Sequence, residues 1–425
     1  RSPARPWPSP PFSPSPYPTA MPLHYQTAGE SHGPAILAVV SGLPAGVVID
    51  ADFINAELAR RQGGYGRGGR QRIEHDTVEI LSGVRHGRSI GSPVTLKIAN
   101  RDSRLDDDAR TPPVHTPRPG HADLAGSVKY LTTDCRETLE RASARETAAR
   151  VAAGALARCL LKSEGIDIHV FGFVRSISTA AWTGDVTEDN WRDLLAARDA
   201  SETYCPDPDT TARQCAIIRE AKINKDTVGG IVETHAFNLP PGLGSTMDWR
   251  DRLDARLAAA VMGIQAFKAV EIGLGKDAAS RPGSQVHDPI RFDHKRIDTP
   301  SLGFVRDTNN AGGLEGGMTN GAPLVVRGAM KPISTLLRGM PSVDLNTKQP
   351  ATSAYERSDI CAVSAASVVM ENAVAFEIAR ALLDKFAGDS IHETTDNYRR
   401  FLDAARTLPL SPPLMTLAEG PRPHP

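Results

Sequence analysis

The stretch that most constrains this chain is residues 364–386, Ser-Ala-Ala-Ser-Val-Val-Met-Glu-Asn-Ala-Val-Ala-Phe-Glu-Ile-Ala-Arg-Ala-Leu-Leu-Asp-Lys-Phe. Read as a helix, it is apolar nearly all round. A helix with one apolar stripe can lie on a surface, but one without a polar face must be buried on several sides. The fold therefore has to supply layers around it. A second Ala-rich pattern starts at Asp134, with Asp134 and Glu137 as a plausible cap pair. Leu139, Ala142, Ala149, Ala153, Leu156 and Leu160 fall on one face of that helix, and Gly165 ends it.

Strand patterns separate these helices. Residues 35–41 and 46–49 read as strands around the turn 42–45, and Asp50 or Asp52 can cap a short helix running to Arg60. Residues 77–84 and 92–99 read as a hairpin hinged at 87–91. Residues 166–174 alternate like a strand. The second half echoes the plan, with strands at 229–237 and 323–329 and an Ala-rich helix at 248–262. Strand-rich stretches alternating with buried helices predict an α+β fold, arranged as two similar halves without a strict sequence repeat.

Composition narrows the function. The 425 residues carry 49 Lys+Arg against 50 Asp+Glu, a net charge of -1. Such a chain lacks the basic excess that dominates nucleic-acid affinity, so a dedicated nucleic-acid binder is not expected. Hydrophobic residues make up 40% of the chain, enough for a sizeable core. Aromatics are only 5%, so that core is built from Ala, Val, Leu and Ile. The 5 Cys show no Cys-x-x-Cys spacing, which fits a reducing compartment and no zinc ribbon. No apolar run reaches membrane-spanning length.

The ends read differently. Residues 1–20 hold eight prolines, two Arg and no acid, which blocks a helical leader. A disordered tail over 1–22 is predicted, with a natural start near Met21 as the other reading. A single domain over 23–403 and a loose Pro-rich tail over 404–425 complete the expected organisation.

Chemistry gathers in several short blocks. Residues 28–34 (Ala-Gly-Glu-Ser-His-Gly-Pro) present His32 between small neighbours, beside Ser31. Histidine titrates near neutral pH and can donate a proton at modest cost. Residues 117–123 fix the approach to His121 with two prolines, and Asp123 can orient its ring. Residues 60–72 hold five Arg, five Gly and no acid, so guanidinium forks on flexible backbone suit phosphate. Gly64, Gly66 and Gly69 spell G-x-G-x-x-G, but the preceding pattern is helical where a dinucleotide site requires a strand. Residues 141–147 put Arg141 and Arg145 on one helix face near Ser143. Residues 309–321, with five Gly and three Asn, suit close backbone approach to a ligand. Residues 330–335 and 357–361 close the set. Taken singly, each block also describes an ordinary turn, basic loop or helix cap. Together they describe an enzyme that handles phosphate, with no metal-ligand or covalent-nucleophile signature.

These seven blocks, with Asp226-Thr227-Val228-Gly229-Gly230 as an eighth (28–34, 60–72, 118–123, 141–147, 226–230, 310–317, 331–335 and 357–361), occur in the order seen in chorismate synthases. The resemblance runs from about residue 23 to about residue 383. It implies a β-α-β sandwich with helices in the middle, a cytoplasmic homotetramer, and a single reaction. That reaction is the trans-1,4 elimination of phosphate from 5-enolpyruvylshikimate 3-phosphate to give chorismate, the last common step toward the aromatic amino acids. It uses reduced FMN (FMNH2) without net redox change, and NADPH is the implied reductant.

Carried over by position, His32 resembles the general acid for the departing phosphate. His121 resembles the partner of the reduced flavin, and Asp359 the carboxylate working with flavin N5. Ser31 matches a substrate-side serine. Arg141, Ala142 and Ser143 match a flavin-binding R-S-S block, with Ala142 replacing the middle serine. Gln265, Ala266, Gly316, Lys331, Pro332, Ile333, Ser334, Thr335 and Arg357 match further flavin contacts, Thr335 standing where many members have serine. Arg61 and Arg67 match positions given to NADPH. Two other readings use the Arg/Gly loop: a nicotinamide-dependent oxidoreductase, and a phosphate- or RNA-binding module.

Overall fold

The computed structural model describes residues 22–68, 75–353 and 359–409. Its first sheet holds β1 (His24–Ala28), β2 (Ala35–Ser41), β3 (Val78–Ile80) and β4 (Val94–Ala99), in the order β1-β2-β4-β3 with every pair antiparallel. Ile36, Ala38, Val40, Val94, Leu96 and Ile98 are buried at alternate positions, the period-two pattern of a sheet with one face inward. The second sheet holds β5 (His169–Ile177), β6 (Ala180–Ala181), β7 (Gly230–Phe237), β8 (Phe267–Ile272) and β9 (Leu324–Met330), in the order β8-β9-β7-β5-β6, again antiparallel.

The helices named here are α1 (Ala51–Gln62), α2 (Asp123–Tyr130), α3 (Arg136–Ala142), α4 (Thr147–Leu161), α5 (Trp191–Asp199), α6 (Pro208–Ile223), α7 (Leu253–Met262), α8 (Val363–Phe386) and α9 (Ile391–Arg406). Helix α4 packs on the first sheet, α8 on the second, and α4 on α8. The two Ala-rich helices thus fill the middle of a sandwich. Gly154 makes this possible: a Cβ there would lie 2.3 Å from the backbone oxygen of Asn372. The outer face of the second sheet carries its own cluster of Phe171, Phe173, Trp191 and Phe237.

The halves share one plan. Leaving out the short β6, the second sheet runs β5-β7-β9-β8, the connectivity of β1-β2-β4-β3. Helices α1 and α7 follow the second strand of each half, and α4 and α8 follow the fourth. A matched turn precedes each fourth strand. Gly83 (φ 82°) and Gly313 (φ 81°) both sit where a Cβ would strike a proline carbonyl, Pro93 in one half and Pro323 in the other. Only glycine adopts that conformation at that distance without strain.

Three local expectations change. Residues 46–49 form no strand: Gly46 turns the chain at φ 90°, and only isolated bridges link Ala45 to Ser390 and Val48 to Arg88. The helix expected from Asp134 breaks at Ser143, whose backbone is extended (φ -60°, ψ 142°). A short 3-10 turn, Ala144–Glu146, then leads into α4. At its start Cys135 is the cap residue, and Asp134 accepts the amides of Val114 and Arg136. The helix expected over 248–262 begins only at Leu253, because Asp248 takes the amide of Arg250 into a local turn that competes with helix.

Candidate active site

The ends of these elements surround one cavity of about 450 Å³. The β1–β2 loop brings Ser31 and His32. The end of α1 and the loop after it bring Arg61, Arg67 and Gly68. The loop before α2 brings Arg118, Gly120 and His121. The break between α3 and α4 brings Ala142, Ser143, Arg145 and Thr147. Gln265 and Ala266 follow α7; Lys331, Ile333, Ser334 and Thr335 follow β9. Asp359 precedes α8, whose first turns lay Ala362, Ala365, Ala366 and Val369 into the same space. His32, His121 and Asp359, far apart in sequence, therefore share one cavity.

Each of the three is fixed by a partner. His32 Nδ1 lies 2.9 and 3.0 Å from the two carboxylate oxygens of Glu140. Nδ1 of His121 bonds the carboxylate of Asp123, as the spacing of that block suggested. Arg118 donates to the same carboxylate through Nε at 2.8 Å and Nη2 at 3.1 Å, and through Nη1 to Thr335 Oγ1 at 3.1 Å. Burial works to raise the Asp123 carboxyl, but the bonds from His121 and Arg118 hold it well below the usual carboxylate range. Asp359 accepts Arg67 Nη1 at 2.5 Å and the Gly68 amide at 2.6 Å.

The wall is cationic. Buried Asp76 accepts both Arg61 and Arg145 at 2.6 Å. Burial and the neighbouring arginines push Arg61 down to about 10 against the pull of Asp76. Lys331 donates to the Gly120 carbonyl at 2.9 Å, and burial and Lys268 lower it. Among the described residues, Arg61, Arg67, Arg118, Arg145 and Lys331 face the carboxylates of Asp76, Asp123 and Asp359, an excess of two positive charges. Partly enclosed and lined by alanine on one side, the cavity suits a flat anionic ring system better than a solvated polyanion.

Most of the residues expected from the sequence lie here: Ser31, His32, Arg61, Arg67, His121, Ala142, Ser143, Gln265, Ala266, Lys331, Ile333, Ser334, Thr335 and Asp359 line the cavity. Pro332 is in the chain between two lining residues. Two others point elsewhere. Arg141 is exposed and donates to the carbonyls of Gly29 and Thr27, so it braces β1 instead of sharing a face with buried Arg145. Gly316 sits in the turn between Leu314 and Thr319, nearest Thr246 and Met318. Arg357, Gly69, Arg70 and Arg72 lie outside the described residues. Gly64 and Gly66 follow helix α1 directly, so the strand-turn-helix context of a dinucleotide fingerprint is missing.

Sequence reasoning missed Glu140 and Asp76, and it took Arg118 and Thr147 only as members of their blocks. Glu140 and Asp76 belong to no motif; only the fold brings them behind His32 and Arg61. The cavity-lining start of α8 was visible as helix but not as a wall of the site.

Comparisons with known proteins bear on the family of the whole chain. A sequence profile described as Chorismate synthase matches residues 23–383. A chorismate synthase of Geobacter sulfurreducens is 53% identical over 395 residues, covering 90% of this chain and 99% of the relative. One from Thermoanaerobacter pseudethanolicus is 51% identical over 380 residues, covering 89% and 98%. A solved structure titled "Crystal Structure of Chorismate Synthase" superposes with a TM-score of 0.74 at 39% identity, covering 92% of this chain and 100% of that one. On the strength of its sequence, its sandwich and this match along nearly its whole length, the chain belongs to the chorismate synthase family.

Proposed function

We propose that this cavity eliminates phosphate from 5-enolpyruvylshikimate 3-phosphate to give chorismate, with reduced FMN as cofactor. The observation that carries the reading is the convergence of His32, His121 and Asp359 on one cation-lined cavity. The residues present fit a flavin. Gln265 Oε1, Arg61 Nε and Arg67 Nε are buried without a hydrogen-bond partner among the described residues, and all three residues line the cavity. Buried polar atoms are normally satisfied, so these are groups a polar ligand would complete. Gln265, Ala266, Ser143, Lys331, Ser334 and Thr335 would hold the flavin, and the alanines of α8 would lie against an apolar ring. Reduced FMN bound there supplies electron density to the allylic system and an acceptor near N5 for the substrate proton.

The chain's own work is electrostatic and acid–base. Phosphate leaves poorly unless it is protonated and surrounded by cations. The excess positive charge receives the phosphate, and His32 delivers its proton. His121, held by Asp123 and Arg118, would hold a proton toward the pyrimidine edge of a bound flavin. Asp359, anchored by Arg67 and Gly68, would work toward its N5. Arg61 and Arg67 are the residues we assign to NADPH as reductant. A cytoplasmic homotetramer is the assembly this reading carries. The buried, free cysteines fit a reducing compartment, and no helix among the described residues is long and apolar enough to cross a membrane.

The test is direct. His32→Ala and His121→Ala should each lower turnover at least ~10²-fold, as for lost acid–base groups, while FMN still binds. Near-normal turnover in both variants rejects the roles.

A further inference from the structure

We propose that Glu140 is the positioning residue of His32, fixing the ring and which of its nitrogens delivers the proton. The proposal rests on the reading of His32 as the acid. Glu140 is wholly buried in the last turns of α3. Its carboxylate is 2.9 and 3.0 Å from His32 Nδ1, and its Oε2 also accepts the His32 backbone amide at 2.8 Å. Its backbone carbonyl accepts the Ser31 amide at 3.1 Å. One residue thus grips both the ring and the backbone of the segment carrying the acid.

The opposite side is held as well. The amides of Arg104 and Leu105 donate to the His32 carbonyl at 2.9 and 3.1 Å. Nε2 of the ring faces Arg104 Nη2 at 3.4 Å and Asp102 Oδ2 at 3.9 Å. Among the described residues, the charged groups around the ring are Glu140 from α3, with Arg136 at 3.5 Å behind it, and Asp102 and Arg104 from the segment after β4. Arg110 stands 3.3 Å beyond Asp102. Burial works to raise the Glu140 carboxyl, but the bonds and charge of His32, with Arg136, hold it below its usual value, so it stays ionised at working pH.

The proton inventory follows from this geometry. Nδ1–H donates to Glu140 throughout. As the carbon–oxygen bond to phosphate breaks, its electron pair goes to the phosphate oxygen, and the pair of the substrate's breaking C–H bond, relayed through the allylic double bond, replaces it, that proton leaving on the Asp359 side. The Nε2–H bond breaks and an O–H bond forms on the phosphate. His32 is left neutral with its remaining proton still on Nδ1, and Glu140 gains none. A carboxylate in this place does for His32 what an orienting acid does for any catalytic histidine: it selects the tautomer and holds the ring.

The experiment is a double-mutant cycle on the full chain. Glu140→Gln keeps one acceptor oxygen, removes the charge and sets an amide donor against the His32 amide. It should lower kcat by ~10- to 100-fold, the scale of a lost hydrogen bond to a charged group, with KM and FMN binding near wild type. In the His32→Ala background, adding E140Q should change the rate by less than ~3-fold, since a residue acting through His32 has nothing left to act on. Losses that multiply, or a near-wild-type E140Q, overturn the proposal while H32A stays slow. Near-normal turnover in H32A overturns the acid assignment itself. Nitrogen NMR of the unaltered protein above the His32 titration gives a reading free of folding defects. Neutral His32 protonated at Nδ1 supports the proposal, and protonation at Nε2 overturns it.

Discussion

At the scale of residues, the site is a set of paired charges. Each reactive side chain reaches the cavity already held by a partner: His32 by buried Glu140, His121 by buried Asp123, Asp359 by half-buried Arg67. Arg118 is the clearest case of one side chain serving several. Its fork spans both oxygens of Asp123 and the hydroxyl of Thr335, 3.1 Å from Nη1, and Nη2 lies 3.1 Å from His121 Nδ1. A lysine offers a point charge and cannot make that array. Arg118→Lys should therefore lower kcat by about 10- to 100-fold, at about 1.5–3 kcal/mol per lost charged hydrogen bond. Steady-state kinetics with FMN at saturation checks this, and an unchanged kcat contradicts it. His32, His121 and Asp359 were legible in the sequence because small or rigid neighbours marked them. Among their partners, Asp123 was legible from the spacing of its block and Arg67 from the Arg/Gly loop, but Glu140 was not, since it lies in an ordinary helical run; Asp76, behind Arg61 and Arg145, belongs to no motif at all. Long-range pairing leaves no local pattern to read.

At the scale of elements, the break at Ser143 matters most. A continuous helix from Arg136 to Leu161 would carry residues 142–147 past the cavity. The extended backbone at Ser143 turns them into it, and its hydroxyl donates to Ser31 Oγ and accepts the Arg145 amide. Periodicity could not reveal this, because apolar spacing continues on both sides of the break. The long helix α8, in contrast, was legible almost to the residue, since an all-round apolar surface has few other solutions. Its close approach to α4 gives a test. Gly154→Ala gains about 1 kcal/mol of helix propensity, but its methyl would meet backbone and Cβ of Asn372 within 2.6 Å. Overpacking of this kind costs about 1–3 kcal/mol, and backbone cannot swing aside as a flexible side chain can. Net destabilisation is expected in denaturant unfolding; a more stable variant would contradict the tight helix contact.

At the scale of the whole molecule, two antiparallel sheets of the same connectivity enclose two Ala-rich helices, and the site forms where the ends of both halves meet. The repeat was legible only as an echo of strands and helices, because the matched turns share glycines and a proline but little else. Buried ion pairs run through this interior, and they set its response to acid. Asp76, Asp123, Glu140, Glu146, Glu57 and Glu233 are all lowered, burial being outweighed by arginine and histidine partners. Carboxyls depressed in the folded state stabilise it above their unfolded value of about 4, and this is lost as pH falls through the lower folded values. The melting temperature should be nearly flat from neutrality to about pH 5 and fall steeply below about pH 4. A flat curve down to pH 3 would contradict that ledger of charges. The central claim is an elimination that consumes no reductant, and one anaerobic assay tests it. Enzyme, 5-enolpyruvylshikimate 3-phosphate and a catalytic amount of chemically reduced FMN should yield chorismate and phosphate in equal amounts over many turnovers, with the flavin still reduced at the end. Product limited to one equivalent of flavin, or flavin oxidised in step with product, would contradict the account.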